Sequence, residues 1–369
     1  MSLRILALAA LLCGLVYWED SLASERSLDR SESSRLKPLM EDEIREGLVV
    51  AGVRIETASG ENFLYARSKG IWRLLEPALN TYAAAGAIER LMQSLVESTG
   101  VVVTDEKHRA KSYGFGGDQA LRVTFHGTQL RKAEDGDVLY AIDLGSPIQG
   151  TEGAYVRPVG SHAVWSIDHN PRTNLARPFG SSFPPMLDTN LIPGVQAAQL
   201  GGLVSIEVIR TDGEHFGLRA VPRDPSEVEP DEPNVSWEVL RASGVREPSD
   251  TVPARGFSIY LFRAPYSKVL LATEVEPEML KHPDARLVLT PARGEPFQLL
   301  FGAANPDGSR KVANLGTGTL FEVDGEVANL LLPTLAQATR ESEGNPWHDY
   351  IQFNPITDLN PLLTPLSGR

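Results

Sequence analysis

Cysteine is almost missing from this chain: Cys13 is the only one in 369 residues. An internal disulfide is therefore impossible, and beyond the N-terminal stretch there is neither a thiol nucleophile nor a cysteine ligand for zinc. Such a composition suits an oxidising compartment in which the fold relies on burial alone. Positive charge is also short. The 35 Lys and Arg face 48 Asp and Glu, for a net charge of −13, and the basic residues form no run. Phosphate binding needs a clustered cationic surface, so a nucleic-acid partner is excluded. Catalytic signatures are equally scarce. No Gly-x-Ser-x-Gly elbow occurs, Ser31 to Ser34 belong to a polar tether, and the 7 histidines show no His-x-x-x-His spacing.

What is present begins with an apolar run from Ile5 to Trp18, preceded by Arg4 and followed by Glu19 and Asp20. At about 1.5 Å per residue it covers roughly 21 Å, a borderline span. Three readings compete: an uncleaved anchor, a signal peptide cleaved near Ala23 after Ser21-Leu22-Ala23, and a buried structural helix. The anchor is preferred. It makes the membrane a partner through residues 5–18 and places the bulk of the chain outside the cytoplasm. Cleavage near Ala23 would instead release the protein to the periplasm. Residues 1–20 form this segment, and the Ser- and charge-rich residues 21–38 form a disordered tether.

Beyond the tether the chain repeats itself. VRIETASGENF at 53–63 returns as VSIEVIRTDGEHF at 204–216. In both places alternating residues and turn signals predict a three-stranded meander, with Trp237 standing where Trp72 stood. A helix is expected from Asn80 or Thr81 to Ser98, with Ala84, Ile88, Leu91 and Leu95 on one face. Its counterpart, around Ala254 to Arg263, looks shorter and precedes Pro265. ARLVLTP then matches ALRVTFH, and AVWSIDHN matches TLFEVDGE. The expected fold class is α+β: two tandem modules, each a mostly antiparallel sheet with one packed helix, after an N-terminal apolar anchor helix. The modules are assigned to 39–200 and 201–343, the second a divergent copy, with an extended C-terminal strap at 344–369.

The Val-x-Ile strand, Gly70-Ile71-Trp72-Arg73-Leu74, Tyr113-Gly114-Phe115, the Leu144-Gly145 turn, Ala154-Tyr155-Val156-Arg157 and Val164-Trp165-Ser166-Ile167 together resemble the domain-of-unknown-function 4340 family. The resemblance covers roughly residues 40 to 240 well and the second unit more loosely. It implies a bacterial protein anchored in the inner membrane, with its bulk in the periplasm or outside, auxiliary to an ABC transport system similar to the gliding-motility export complex and non-catalytic. No catalytic residue is carried over.

Individual candidates are few. Tyr113 to Asp118 is glycine-rich but follows a polar loop and leads into a strand, so a structural turn is preferred to a phosphate loop. His162 and His169 fall on opposite faces of a strand, which disfavours a metal site. Glu56 and Glu207 occupy equivalent places and are expected to point outward, the alternative being a salt bridge or partner contact. Trp72 and Trp237 are expected to plug the core. In the strap, three Asn-Pro pairs interleave with aromatics, and Trp347, Tyr350 and Phe353 are the candidates for partner binding if the segment does more than pack on its own module. No catalytic residue, metal or cofactor is assigned. The function expected is that of a non-catalytic extracytoplasmic accessory or scaffold acting with an ABC permease or another envelope protein. The alternatives are a carboxylate-dependent hydrolase and a solute- or glycan-binding module.

Overall fold

The computed structural model describes residues 37–347, apart from residues 48, 118–119, 128–136, 176–183, 225–234 and 341–345. The first sheet comprises β1 (Lys37–Pro38), β2 (Gly52–Thr57), β3 (Asn62–Ser68), β4 (Ile71–Glu76), β5 (Thr99–Thr104), β6 (Leu121–His126), β7 (Val138–Pro147), β8 (Ala154–Pro158) and β9 (Val164–Ile167). Its order is β1-β5-β9-β8-β7-β6-β2-β3-β4. The second comprises β10 (Leu203–Arg210), β11 (His215–Pro222), β12 (Val235–Arg241), β13 (Arg246–Ser249), β14 (Lys268–Leu270), β15 (Ala285–Pro291), β16 (Phe297–Phe301), β17 (Arg310–Asn314) and β18 (Thr319–Val323). From its far end that sheet reads β14-β18-β17-β16-β15-β10-β11-β12-β13. Strands β5, β9, β8, β7, β6, β2, β3 and β4 thus have counterparts in the same order, with VRIE in β2 and VSIE in β10.

This corrects the α+β expectation. Two nine-stranded antiparallel sheets dominate, with 40% strand against 25% helix. The α-helices among the described residues are α1 (Asp42–Gly47), α2 (Ala87–Val96), α3 (Gly194–Leu200), α4 (Thr251–Arg263), α5 (Pro277–Lys281), α6 (Gly325–Leu331) and α7 (Leu335–Thr339), and the helix expected from residue 80 onward is α2 only. The preceding residues are held extended by bridges pairing Arg73 with Tyr82 and Ala83 with Leu187, while Asn80 and Gly86 take positive φ of 50° and 69°. Backbone already bonded to neighbouring strands cannot enter the helical ladder, and that outweighs the N-cap signal of Thr81. The apolar stripe itself is real, with Ile88, Leu91 and Leu95 fully buried. In the second copy, α4 (Thr251–Arg263) is longer than expected, carrying Pro253 in its first turn and ending before Pro265. The anchor segment at residues 5–18 lies outside the described residues; among those described, no helix is long and apolar enough to cross a membrane.

The chain divides into two compact units, Met1–Asn62 with Glu89–Leu175, and Phe63–Ile88 with Ala176–Arg369. In the first, Ile55, Val123 and Ile142 face one another in register across β2, β6 and β7, all buried. Strict alternation then puts residues 56, 122 and 143 on the opposite face. In the second unit, Val208, Leu287 and Leu299 do the same across β10, β15 and β16. Trp72 and Trp237 are buried, in agreement with a core role.

The second unit holds one anomaly. Helix α4 is buried along most of its length and packs against α6 (Gly325–Leu331), α7 (Leu335–Thr339) and β12. Among its buried residues is Arg255, 7% exposed, whose Nε meets no hydrogen-bond acceptor. No carboxylate among the described residues pairs with it, and burial lowers its pKa. A buried cation without a counter-charge opposes folding. Arg255→Met keeps the aliphatic stem and is expected to raise stability by about 1–2 kcal/mol, seen as a higher midpoint in urea at unchanged slope. A fall in the midpoint would show that the guanidinium is held by an anion.

Candidate functional site

Across the outer face of the first sheet, four charged residues stand side by side. Glu56 on β2 faces Arg122 on β6, Arg122 faces Asp143 on β7, and Asp143 faces Arg157 on β8. The signs alternate. Asp143 is buried and accepts from Arg122 Nε at 2.8 Å and from Arg157 Nη2 at 2.7 Å. The hydrogen bond to Asp143, and after it the charges of Asp143 and Glu56, hold the Arg122 pKa above its usual value. Such cross-strand opposite-charge neighbours stabilise a sheet and fix side-chain positions.

These residues floor a cleft of about 460 Å³, closed on one side by the turn after β2 and on another by Phe115. Phe115 is buried in a cluster with Ala110 and Val164, and the Arg157 guanidinium lies 4.8 Å from its ring centroid. Two glycines make this approach possible, Gly145 on β7 and Gly114 beside Phe115. A Cβ on Gly145 would overlap the Tyr113 carbonyl oxygen and sit 2.9 Å from the Phe115 ring. Gly114 takes φ 88°, turning the chain so that Phe115 faces back toward the sheet. Tyr113 to Gly117 is thus a turn that seats Phe115, which agrees with the structural reading.

The second unit opens a cleft that overlaps the equivalent region of its sheet in part, reaching Gln298 and Leu315 but not Glu207 or Val288. In register, Glu207 faces Val288, Val288 faces Gln298, and the Gln298 carbonyl accepts from the Leu315 backbone N–H at 2.9 Å. The ladder Glu56–Arg122–Asp143–Arg157 therefore corresponds to Glu207–Val288–Gln298–Leu315. The same register aligns Leu121 with Leu287, one place away from the match that the bare strings suggest. Three of the four charges are gone. The second cleft, about 440 Å³, lies between this part of the sheet and the short helix α3 (Gly194–Leu200), with Tyr82, Gln199, Gln298, Phe297 and Leu315 among its walls. Glu207, released from any ladder, pairs instead with His215 Nε2 at 2.6 Å.

Other expected residues fall elsewhere. Trp347 is 1% exposed and packs on Phe257 of α4 with ring centroids 5.5 Å apart, so it is a core residue of the second unit. Tyr350 and Phe353 lie outside the described residues. His169 Nδ1 bonds the carboxylate of Asp168 at 3.0 Å, and among the described residues no cluster of three metal-ligating side chains forms. The carboxyl whose pKa burial pushes up is that of Asp188. It accepts backbone N–H groups of Asn190 at 3.0 Å and Gly194 at 2.7 Å and lines neither cleft, so it positions the start of α3.

Sequence reasoning singled out Glu56 but missed Arg122, Asp143, Arg157 and the amides of the second cleft. Their only sequence signal is polar residues at alternate positions of strands, shared with every solvated sheet face. Comparison with protein-family models, curated proteins and solved structures returns no match. The clefts themselves therefore carry the functional argument. The first offers a fixed pattern of alternating charge, the second uncharged amides beside aromatic and aliphatic walls, and both arrangements suit recognition.

Proposed function

We propose that the chain is a non-catalytic extracytoplasmic accessory protein that binds through two clefts, one in each copy of a duplicated sheet. The observation that carries this reading is the shared register. Each unit opens a cleft that reaches the same two ladder positions, Asp143 and Arg157 in the first and Gln298 and Leu315 in the second, and there two charges have given way to an amide and an aliphatic side chain while the sheet beneath kept its order. A hydrolase relying on paired carboxylates needs one acid free to gain and lose a proton. In the first cleft Asp143 is engaged by two guanidinium groups, which favours recognition over proton transfer. The apolar run at residues 5–18 and the family resemblance support placing this binder outside the cytoplasm, beside an ABC-type transport or export complex.

Photocrosslinking in intact cells tests the reading. A photoreactive amino acid at Ala58, exposed on the rim of the first cleft, is expected to capture a permease, an ATPase or another envelope protein that co-purifies from solubilised membranes. Full-length protein recovered alone from the soluble fraction, with no crosslink from Ala58, would overturn the accessory role.

A further inference from the structure

We infer that the cleft of the second unit takes an uncharged, hydroxyl-rich ligand, an oligosaccharide. The inference rests on the binding-protein reading and names the ligand class of one of its two sites.

Charge narrows the choice first. Among the described residues, the ionisable side chains lining the cleft are Tyr82 and Glu295, and no Lys or Arg lines it to hold a phosphate or carboxylate. Arg73, the nearby cation, is engaged: it donates to the Asn80 side-chain carbonyl and lies 5.2 Å from the Tyr82 ring centroid. The polar groups that remain are of a particular kind. Among the described residues, the side-chain amides of Gln199 and Gln298 and the Tyr82 hydroxyl have no hydrogen-bond partner within the protein, although all line one cleft. An amide presents donors and acceptors together, and a hydroxyl does the same, so a ligand that is itself hydroxylated on several sides satisfies them without a net charge. Phe297 and Leu315 add apolar surface suited to the C–H faces of sugar rings.

Position decides between a sugar and an extended peptide. Peptides that bind sheets commonly add a strand to an open edge. Here the cleft lies at the start of β16 and over the turn that follows β17, and both strands are interior, β16 between β15 and β17 and β17 between β16 and β18. No backbone edge is open at this site. What it offers is the Gln298 amide on the sheet and the Gln199 amide on α3, which fits a ligand recognised through hydroxyls.

Isothermal titration of the full-length protein with cellohexaose, maltohexaose and chitohexaose tests the inference. At least one is expected to bind, and Gln298→Ala and Gln199→Ala, both at solvated positions, are each expected to weaken it about tenfold at unchanged melting temperature. Binding that survives both substitutions undiminished, or no binding of any of the three, would overturn it. So would hexagalacturonate binding as tightly as the neutral sugars, or an (Ala-Gly)₄ peptide binding in their place with sensitivity to the same substitutions. Loss of sugar binding is distinguishable from loss of the accessory role, because crosslinks from Ala58 report on the other unit. If those persist while no sugar binds, only the ligand class fails.

Discussion

Trp347→Ala is expected to destabilise the second unit by about 3–5 kcal/mol, the range for deleting a large buried aromatic. The indole is 1% exposed and packs on Phe257, itself fully buried in α4. Truncation to alanine would remove the largest side chain among the fully buried residues of this fold, together with its contact with the Phe257 ring, and leave a cavity that a helix packed on three sides is poorly placed to fill. Urea unfolding followed by tryptophan fluorescence and circular dichroism would show the midpoint shift. A loss below about 1 kcal/mol would mean that Trp347 contributes little to the core and is free for partner binding as the sequence suggested. The consequence for experiments is direct. Deleting residues from 344 onward removes a core residue, so partner loss after such a truncation reports unfolding unless stability is measured beside it.

The second large effect concerns the charge ladder. Asp143→Ala should cost about 2–4 kcal/mol, because a buried carboxylate bonded by two guanidinium groups disappears and both cations lose their counter-charge. The lower end reflects solvent screening, since the Arg122 side chain is 44% exposed while that of Arg157 is 24% exposed. Arg157 has more to lose. It is held between Asp143 and the Phe115 ring, so Asp143→Ala should also loosen the floor of the first cleft. The second unit suggests the control. Replacing three members of the ladder with the residues found at the same register there, Arg122→Val, Asp143→Gln and Arg157→Leu, removes the buried carboxylate together with both of its guanidinium partners and leaves only Glu56, at a partly exposed position, as a charge. That triple variant is expected to be more stable than Asp143→Ala alone, a non-additivity that denaturant midpoints would reveal. A triple variant less stable than the single one would mean that the ladder stabilises through its charges rather than through their mutual satisfaction.

Much of the architecture was legible before any coordinates. A strand-like run located β6 at Leu121–His126, and the internal match to it located β15 at Ala285–Pro291, where every second side chain turns to the core. The repeated Val-x-Ile-Glu phrase marks β2 and β10, which hold equivalent places in two sheets of like order. Trp72 and Trp237 are buried as their size and setting implied. Those properties are local, and a short window of sequence contains the whole of each signal.

The α+β reading failed where a distant segment intervened. Tyr82 and Ala83 carry helix-compatible sequence, yet their backbone is bridged to Arg73 and Leu187, the second more than a hundred residues away. Trp347 looked like a docking residue because its neighbours are proline-rich and polar, and only the packing of Phe257 shows that it is core. The clefts were hidden for the same reason. Residues 56, 122, 143 and 157 carry no common motif, and they become one ladder only when four strands pair in one register. Composition and periodicity thus determined many of the strands and the duplication. Tertiary structure decided which side chains meet, because register is set by the burial of whole strand faces against one another, a sum over residues far apart in the chain.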